Sequence, residues 1–177
     1  MKPVYIHIPK TGGSSVRQIT LKYNPAQKNH WHTRVSHYKH LLRSTHFFFT
    51  VTRNPYDRLV SAYTYLRKGG DNKDDLAKGK TLPPDFKTFV FESLKSNLQW
   101  WHFRPMTFYV NGDVDFLGRF ENINEDFKHV CEQCSIPVSE LPHLNKTEHD
   151  HYMEYYDDDT IDYVKSVYQR DFDTFGY

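Results

Sequence analysis

A short segment near the amino terminus, Lys10-Thr11-Gly12-Gly13-Ser14-Ser15, combines a cation, three hydroxyl groups and two glycines. Adjacent glycines allow successive backbone N–H groups to converge on one anion, and a lysine can reach that anion as a point charge. A tight strand-to-helix turn is the other interpretation of a glycine pair. The combination of residues favours an anion site for a phosphate-like group.

The order of these residues differs from that of the common nucleotide-binding loop. In the pattern G-x-x-x-x-G-K-S/T the lysine follows the glycines, whereas Lys10 precedes Gly12 and Gly13. This difference argues against an ordinary ATPase or GTPase.

The elements on either side of the segment are those that an anion loop requires. Val4–Ile8 is almost continuously apolar, as is typical of a buried parallel strand. After the glycines, Val16 and Ile19 fall at helical spacing, and Ser14 can cap the helix. A helix N-terminus at this position would add positive potential to the site.

A second strand and helix follow. His46–Thr52 predicts another buried strand that ends at Arg53. Asn54 and Pro55 are typical of a helix cap followed by a first-turn proline. Farther along, we predict two short strands around an Asn111-Gly112 turn, at Met106–Val110 and Val114–Phe120. We also predict three amphipathic helices, at Asp85–Leu98, Glu121–Cys134 and Asp157–Gln169.

The breaker-rich stretch 69–84 predicts a mobile loop. Strands that alternate with helices indicate an α/β fold with a mostly parallel central sheet flanked by helices. The length of 177 residues favours a single domain over 1–177.

The composition limits the class of partner and compartment. A net charge of +1 gives no overall field that would attract nucleic acid or a membrane surface. No signal peptide and no apolar run of about 20 residues are visible, and two cysteines do not make a disulfide scaffold. We therefore expect a soluble, cytoplasmic protein without stable membrane insertion; the sequence does not specify an oligomeric state.

Two long motifs resemble those of a known enzyme family. His7–Ser15 (H-I-P-K-T-G-G-S-S) is similar to the 5′-phosphosulfate loop of sulfotransferases that use 3′-phosphoadenosine 5′-phosphosulfate (PAPS). Thr50–Tyr63 is similar to their 3′-phosphate motif, and His143–Thr147 and Asp171–Tyr177 also resemble the family. The branch with the greatest likeness contains the heparan sulfate 2-O-sulfotransferases. The resemblance implies a P-loop-like three-layer fold and O-sulfation of a small-molecule or glycan acceptor, without a metal.

The resemblance also implies roles for individual residues. The 5′-phosphosulfate would be held by Lys10, Thr11, Gly12, Gly13, Ser14 and Ser15. Arg53 and Ser61 would hold the 3′-phosphate, which remains in the 3′,5′-bisphosphate product. Lys146 matches a late cofactor-contacting lysine. Without the rest of the motif, the simpler interpretation of Arg53 is a surface ion pair, that of Ser61 a solvated helix face, and that of Lys146 a solvated loop lysine.

Sulfuryl transfer also needs a group that accepts the acceptor's hydroxyl proton. An imidazole with a pKa near ~6.5 suits this role at neutral pH, and Lys10 can stabilise charge on the leaving side as a second catalytic residue. The stretch Trp31–Leu42 resembles the family segment that carries the base, which makes His32 the first candidate and His37 the reserve.

Other signals have less specific interpretations. Cys131 and Cys134 form a C-x-x-C that supplies half of a zinc site, although packing inside a helix explains them equally well. Trp100-Trp101 is either a sugar-stacking surface or part of the core. Two further functions remain open: a kinase-like phosphotransferase that uses the same loop, and a binding module without catalysis. Since carbohydrate relatives often carry a membrane anchor, a trimmed domain of a longer protein is another alternative.

Overall fold

A parallel sheet of three strands leads into the predicted anion loop, Lys10–Ser15, and a helix follows each strand. The structure is a computed structural model that describes residues 1–111, 113–138, 140–142 and 150–177. Its strands are β1 (Lys2–Ile6), β2 (His46–Thr52) and β3 (Phe116–Arg119). Its helices are α1 (Gly13–Tyr23), α2 (Pro55–Arg67), α3 (Lys73–Thr81), α4 (Phe86–Thr88), α5 (Leu94–Asn97), α6 (Ile123–Cys134) and α7 (Asp158–Phe175). A π-helical segment, Phe89–Ser93, joins α4 to α5.

The strands lie in the order β1-β2-β3, and both pairs are parallel. In the register, Ile6 lies opposite Thr50, and Thr52 lies opposite Arg119. The carboxyl ends of parallel strands meet at one edge of a sheet, where ligands of open α/β folds bind. The anion loop after β1 and Arg53 after β2 therefore leave the sheet at the same edge.

The chain divides into two units, which are described separately. The first comprises Met1–Arg53 and Met106–Lys146, and the second comprises Asn54–Pro105 and Thr147–Tyr177. The prediction of a single domain over 1–177 stays a prediction.

The core of the first unit forms where α1 and α6 pack on one face of the sheet. Alternate residues of β2 point to this face because side chains of a strand alternate between its two sides. The buried apolar residues are Tyr5, Phe47, Phe49 and Val51 from the strands, Val16 and Ile19 from α1, and Phe127, Val130, Cys131 and Cys134 from α6, with Ile136 and Leu141 after it. This packing fixes the direction in which α1 leaves the loop.

Two amide side chains cover the outer edge of β1. Gln27 Oε1 accepts a hydrogen bond from the backbone N–H of Tyr5 at 3.0 Å, and Gln27 Nε2 donates to the Tyr5 carbonyl at 3.4 Å. Asn24 Nδ2 donates to the Pro3 carbonyl at 2.9 Å. The segment after α1 is thereby attached to the strand that leads into the loop.

The second unit is built around α2. Asn54 caps this helix by accepting from the Tyr56 N–H at 3.0 Å, as the sequence predicts. Asp157 caps α7 in a reciprocal capping box with Thr160. The core consists of apolar residues from α2, the α4–α5 region and α7, at Leu59, Val60, Ala62, Tyr63, Leu66, Leu82, Phe86, Phe89, Val90, Leu94, Phe103, Val164, Tyr168 and Phe172.

The structure contains a helix inside the stretch that the sequence predicts to be a loop. Within 69–84, Lys73–Thr81 forms α3. The Asn72 side chain accepts hydrogen bonds from the N–H groups of Asp74 and Asp75, both at 2.9 Å. The composition of this stretch alone favours a loop, but the capping side chain satisfies the first N–H groups and allows a helix to begin.

The segment 106–120 also differs from the prediction. Met106–Phe108 is a 3₁₀ turn in place of the predicted strand over Met106–Val110, and the N–H groups of Tyr109 and Val110 bond to the Met106 carbonyl. The run is apolar because it is buried, and burial alone does not distinguish a strand from a local turn. Because Met106–Phe108 is a turn, it does not form the strand predicted beside Val114–Phe120, and β3 pairs in parallel with β2.

The predicted fold class is confirmed: the protein has an α/β, P-loop-like fold with a parallel sheet flanked by helices. Among the described helices, none combines the length and the apolar character needed to cross a lipid bilayer.

Candidate active site

The anion loop turns sharply between β1 and α1. Gly12 occupies the N-cap position of α1 with φ 77°, in the left-handed region that glycine adopts without steric cost. Ser14, the predicted cap, instead lies inside α1, because the helix already begins at Gly13. Gly12 has no side chain that could cap the first turn, so the helix N-terminus presents its backbone N–H groups and positive potential to the loop.

Close packing explains why a glycine follows at position 13. A Cβ atom on Gly13 would lie 2.0 Å from Cδ2 and 2.1 Å from Nε2 of His7, and 2.7 Å from the Tyr5 hydroxyl. His7, which is buried, therefore lies directly against the backbone of the loop. The motif His7–Ser15 contains both residues, but the sequence does not show that the imidazole packs against the glycine.

Arg53 braces the loop from the end of β2. Its Nη1 donates to the Lys10 carbonyl at 3.1 Å, and its guanidinium lies 4.1 Å from the centre of the Phe120 ring. Lys10 itself has φ 67°, an uncommon conformation for a non-glycine residue. The structure thus brings Lys10 and Arg53 together and shows that Phe120 contacts Arg53. The sequence analysis missed Phe120, although its position at the end of a strand beside β2 could have indicated this contact.

The three hydroxyl residues of the loop have different environments. Thr11 is fully buried, and its hydroxyl donates to the Ile8 carbonyl at 2.9 Å. Ser15 is buried in the first turn of α1, where its N–H bonds to the Gly12 carbonyl at 3.2 Å. Ser14 is half-buried. The Thr11 hydroxyl therefore stabilises the turn, and the predicted contacts of all three residues with a phosphosulfate remain predictions.

His32 lies beside His7. The two ring centres are 4.4 Å apart, and His32 Nδ1 lies 3.2 Å from the His7 carbonyl oxygen. Because a carbonyl oxygen only accepts, Nδ1 must carry the proton in this bond. In the neutral ring, Nε2 is then the basic nitrogen.

Burial changes the basicity of this imidazole. Loss of solvation lowers the pKa of His32 from 6.5 to about 4; the bond to the His7 carbonyl opposes the shift, and the charge of Arg17 adds to it. The expectation of a pKa near ~6.5 is therefore wrong for the free protein, because it took the imidazole to be solvated. His32 is uncharged at neutral pH and ready to accept a proton.

The reserve candidate, His37, has a different environment. It is an exposed residue of the 3₁₀ turn Val35–Tyr38, where its ring is 4.9 Å from that of His30 and 6.5 Å from that of His40. Its ring contacts therefore stay within its own segment, whereas His32 touches His7.

Two further predicted phosphate ligands are Ser61 and Lys146. Ser61 is a buried residue of α2 in the second unit. Lys146 lies outside the described residues. Their predicted contacts with the nucleotide stay predictions.

The C-x-x-C pair is part of the core. Cys131 and Cys134 are free, buried thiols, and burial raises the pKa of Cys134 to about 11. A thiol that resists deprotonation is a poor metal ligand and nucleophile. Within the described residues, no group of three or more His, Cys, Asp or Glu side chains is arranged to hold a metal ion.

The tryptophan pair has features of both interpretations. Trp100 and Trp101 stack with ring centres 4.0 Å apart and are half-buried; Trp100 packs against the core of the second unit and donates to His102 Nδ1 at 3.2 Å.

Comparison with known proteins identifies the family. Searches of curated proteins and of solved structures find no match to the chain. A model described as "Sulfotransferase family" matches residues 2–177, which is nearly the whole chain and includes the loop after β1, Arg53 and His32. The chain therefore belongs to the sulfotransferase family.

Proposed function

We propose that the protein transfers the sulfuryl group of PAPS to a hydroxyl group of a carbohydrate acceptor, as the heparan sulfate 2-O-sulfotransferase branch does. The observation that carries the proposal is the contact chain from the loop to the base: Gly13 lies against His7, and His7 lies against His32. A neutral imidazole close to a loop suited to an anion supports the proposal, because sulfuryl transfer requires both groups.

The loop fits an anionic donor group. Gly12 and Gly13 allow the backbone of the loop to pack directly against neighbouring side chains, and an eleven-residue helix directs its N-terminus to the loop. Lys10 adds a full positive charge. These groups would hold the 5′-phosphosulfate and stabilise the charge that develops on the leaving phosphate oxygen.

Arg53 would serve the nucleotide in two ways. Its bond to the Lys10 carbonyl keeps the loop in shape, and a guanidinium is a strong multidentate donor to a phosphate. We assign it to the 3′-phosphate on the strength of the motif. Ser61 and Lys146 keep their assignments from the same resemblance.

His32 would act as the general base. Its Nε2 would take the proton of the acceptor hydroxyl as the acceptor oxygen forms a bond to sulfur and the bond from sulfur to the phosphate oxygen breaks. The products are the sulfate ester and the 3′,5′-bisphosphate. Nδ1 stays bonded to the His7 carbonyl throughout, so the ring keeps its orientation and the resulting imidazolium is stabilised by that acceptor.

The surface next to His32 supports a carbohydrate acceptor. Exposed aromatic and basic side chains occupy the segment that carries the base, at Trp31, Arg34, His37, Lys39 and His40. An aromatic face suits the C–H side of a sugar ring, and cations suit acidic substituents of a glycan. We propose an acidic saccharide on this basis.

The decisive experiment compares His32→Ala with His37→Ala in a sulfate-transfer assay that uses labelled PAPS and a panel of saccharides. Loss of a general base typically reduces the rate by ~10²–10⁴, and we expect this loss for His32→Ala alone, with the affinity for 3′,5′-bisphosphate changed only a few-fold. A dead His37→Ala enzyme beside an active His32→Ala enzyme would transfer the role to His37.

The same protein preparation separates the other two functions. Calorimetric titration with PAPS, 3′,5′-bisphosphate and ATP should show preference for the first two ligands. Preference for ATP would indicate the kinase-like phosphotransferase. Tight PAPS binding without transfer to any acceptor would indicate a binding module.

A further inference from the structure

Arg17 is a buried cation whose hydrogen bonds all reach one neighbouring segment. It lies on α1, one turn after Gly13, and only 3% of its surface is exposed. Its guanidinium donates to the carbonyls of Gln27 at 2.8 Å, of Lys28 at 2.5 Å and of His30 at 3.2 Å. A single side chain thus donates hydrogen bonds to three carbonyls of the segment that precedes His32.

The same guanidinium also holds the next residue. Its central carbon lies 4.2 Å from the centre of the Trp31 ring, a cation–π distance. The Trp31 ring is 5.5 Å from that of His7, although Trp31 remains 55% exposed. Arg17 therefore restrains the chain up to the residue before the base.

His32 needs such restraint because of its backbone. Its φ of 48° lies in the left-handed region, which is unfavourable for a residue with a Cβ atom. Residues in sparsely populated conformations persist only where the surrounding structure holds them. The contact of His32 Nδ1 with the His7 carbonyl, at 3.2 Å, acts on the ring and not on the backbone of the segment.

We propose that Arg17 is a positioning residue for catalysis: it fixes the segment 27–32 to the helix of the anion loop, and thereby holds the His32 imidazole at the reaction centre. The inference rests on the proposed role of His32 as base. Since α1 begins in the loop, Arg17 sets the distance between anion and base through one rigid helix.

The choice of arginine follows from the geometry. A planar guanidinium can donate to several carbonyls at once in fixed directions, whereas a lysine ammonium lacks this fork. Arg17→Lys keeps the charge and loses the fork, so it tests position separately from charge. Arg58→Lys is the matched control, because Arg58 is also buried and donates to the carbonyls of His102 and Arg104 in the second unit.

The first measurement does not depend on activity. An NMR titration of the His32 imidazole in the ligand-free protein should give a pKa of about 4 for the unsubstituted chain. In Arg17→Lys the released imidazole should regain solvent, and its pKa should rise toward about 6.5. Besides burial, the His7 carbonyl and the Arg17 charge act on the pKa of His32, and Arg17→Lys leaves the carbonyl and a positive charge at position 17 in place. Arg58→Lys should leave the His32 titration in place.

The second measurement is the turnover of the same variants. Misplacement of a reacting group by about 1 Å can reduce the rate by ~10², so kcat of Arg17→Lys should fall by about that factor while the affinity for 3′,5′-bisphosphate changes only a few-fold. An unchanged His32 titration in a folded Arg17→Lys protein would overturn the positioning role, whatever the activity. If the titration moves in Arg17→Lys but the unsubstituted chain transfers no sulfate, Arg17 remains the anchor of His32 and the proposed function is removed.

Discussion

Acidification should destabilise the protein through His32 in particular. The pKa of this imidazole is about 4 in the folded chain and 6.5 as the ordinary value, so the unfolded chain binds the proton more tightly. The resulting loss of stability begins as the pH falls below about 6.5 and is complete below about 4. Above this window His32 is neutral in both states and causes no change.

The size of the effect follows from the shift. A difference of about 2.5 pKa units corresponds to about 3 kcal/mol in the free energy of unfolding once the pH lies below both pKa values. Of this amount, about 2 kcal/mol of the free energy of unfolding is lost as the pH falls from about 7 to about 5. For a chain of marginal stability this is a large fraction of the total.

The assay compares the unsubstituted chain with His32→Asn in urea unfolding across this pH range, followed by tryptophan fluorescence and circular dichroism. Asparagine tolerates the left-handed backbone at this position, and its amide can donate to the His7 carbonyl, but it does not titrate. Subtracting the two curves should isolate a component of about 2 kcal/mol that vanishes in the variant. Parallel pH profiles for the two proteins would refute a depressed pKa at His32.

Three further changes test the site and the fold. Gly13→Ala should lower the free energy of unfolding by about 1–3 kcal/mol and weaken nucleotide binding, because its methyl group must displace the His7 ring. Thermal unfolding measures the first effect and calorimetry the second, and a variant equal to the parent in both would contradict the close packing. Arg53→Ala should weaken 3′,5′-bisphosphate binding by roughly tenfold to a hundredfold and affect an analogue without the 3′-phosphate much less, whereas equal weakening of both ligands would mean that Arg53 acts only through the Lys10 carbonyl. EDTA should not change the transfer rate, since Lys10, Arg53 and the helix N-terminus supply the positive charge; a reproducible magnesium requirement would instead favour phosphoryl transfer.

The sequence predicts those parts of the fold that are set by strong local signals. β2 is found at the predicted residues, His46–Thr52, because a continuous apolar run between polar segments has few alternatives to a central strand. Asn54 caps α2 as its residue type indicates. By contrast, Met106–Val110 is equally apolar but forms a turn, since its backbone groups bond locally and only tertiary contacts decide between the two.

The candidate site shows the same division. The loop glycines, Lys10 and Arg53 are visible in the motifs. The contact of His7 with Gly13, the Phe120 ring beneath Arg53 and the low pKa of His32 are not, because each depends on residues that are distant in sequence and adjacent only after folding.

The amide cover on β1 has a consequence for assembly. An outer strand with open N–H and C=O groups is a template on which a strand from another molecule can pair. At Tyr5 both groups are occupied by the side chain of Gln27, and at Pro3 the carbonyl is occupied by Asn24. A side chain that reproduces the hydrogen bonds of a neighbouring strand satisfies the edge without extending the sheet. The strand that leads into the loop of the candidate site is therefore protected at these positions from edge-to-edge aggregation.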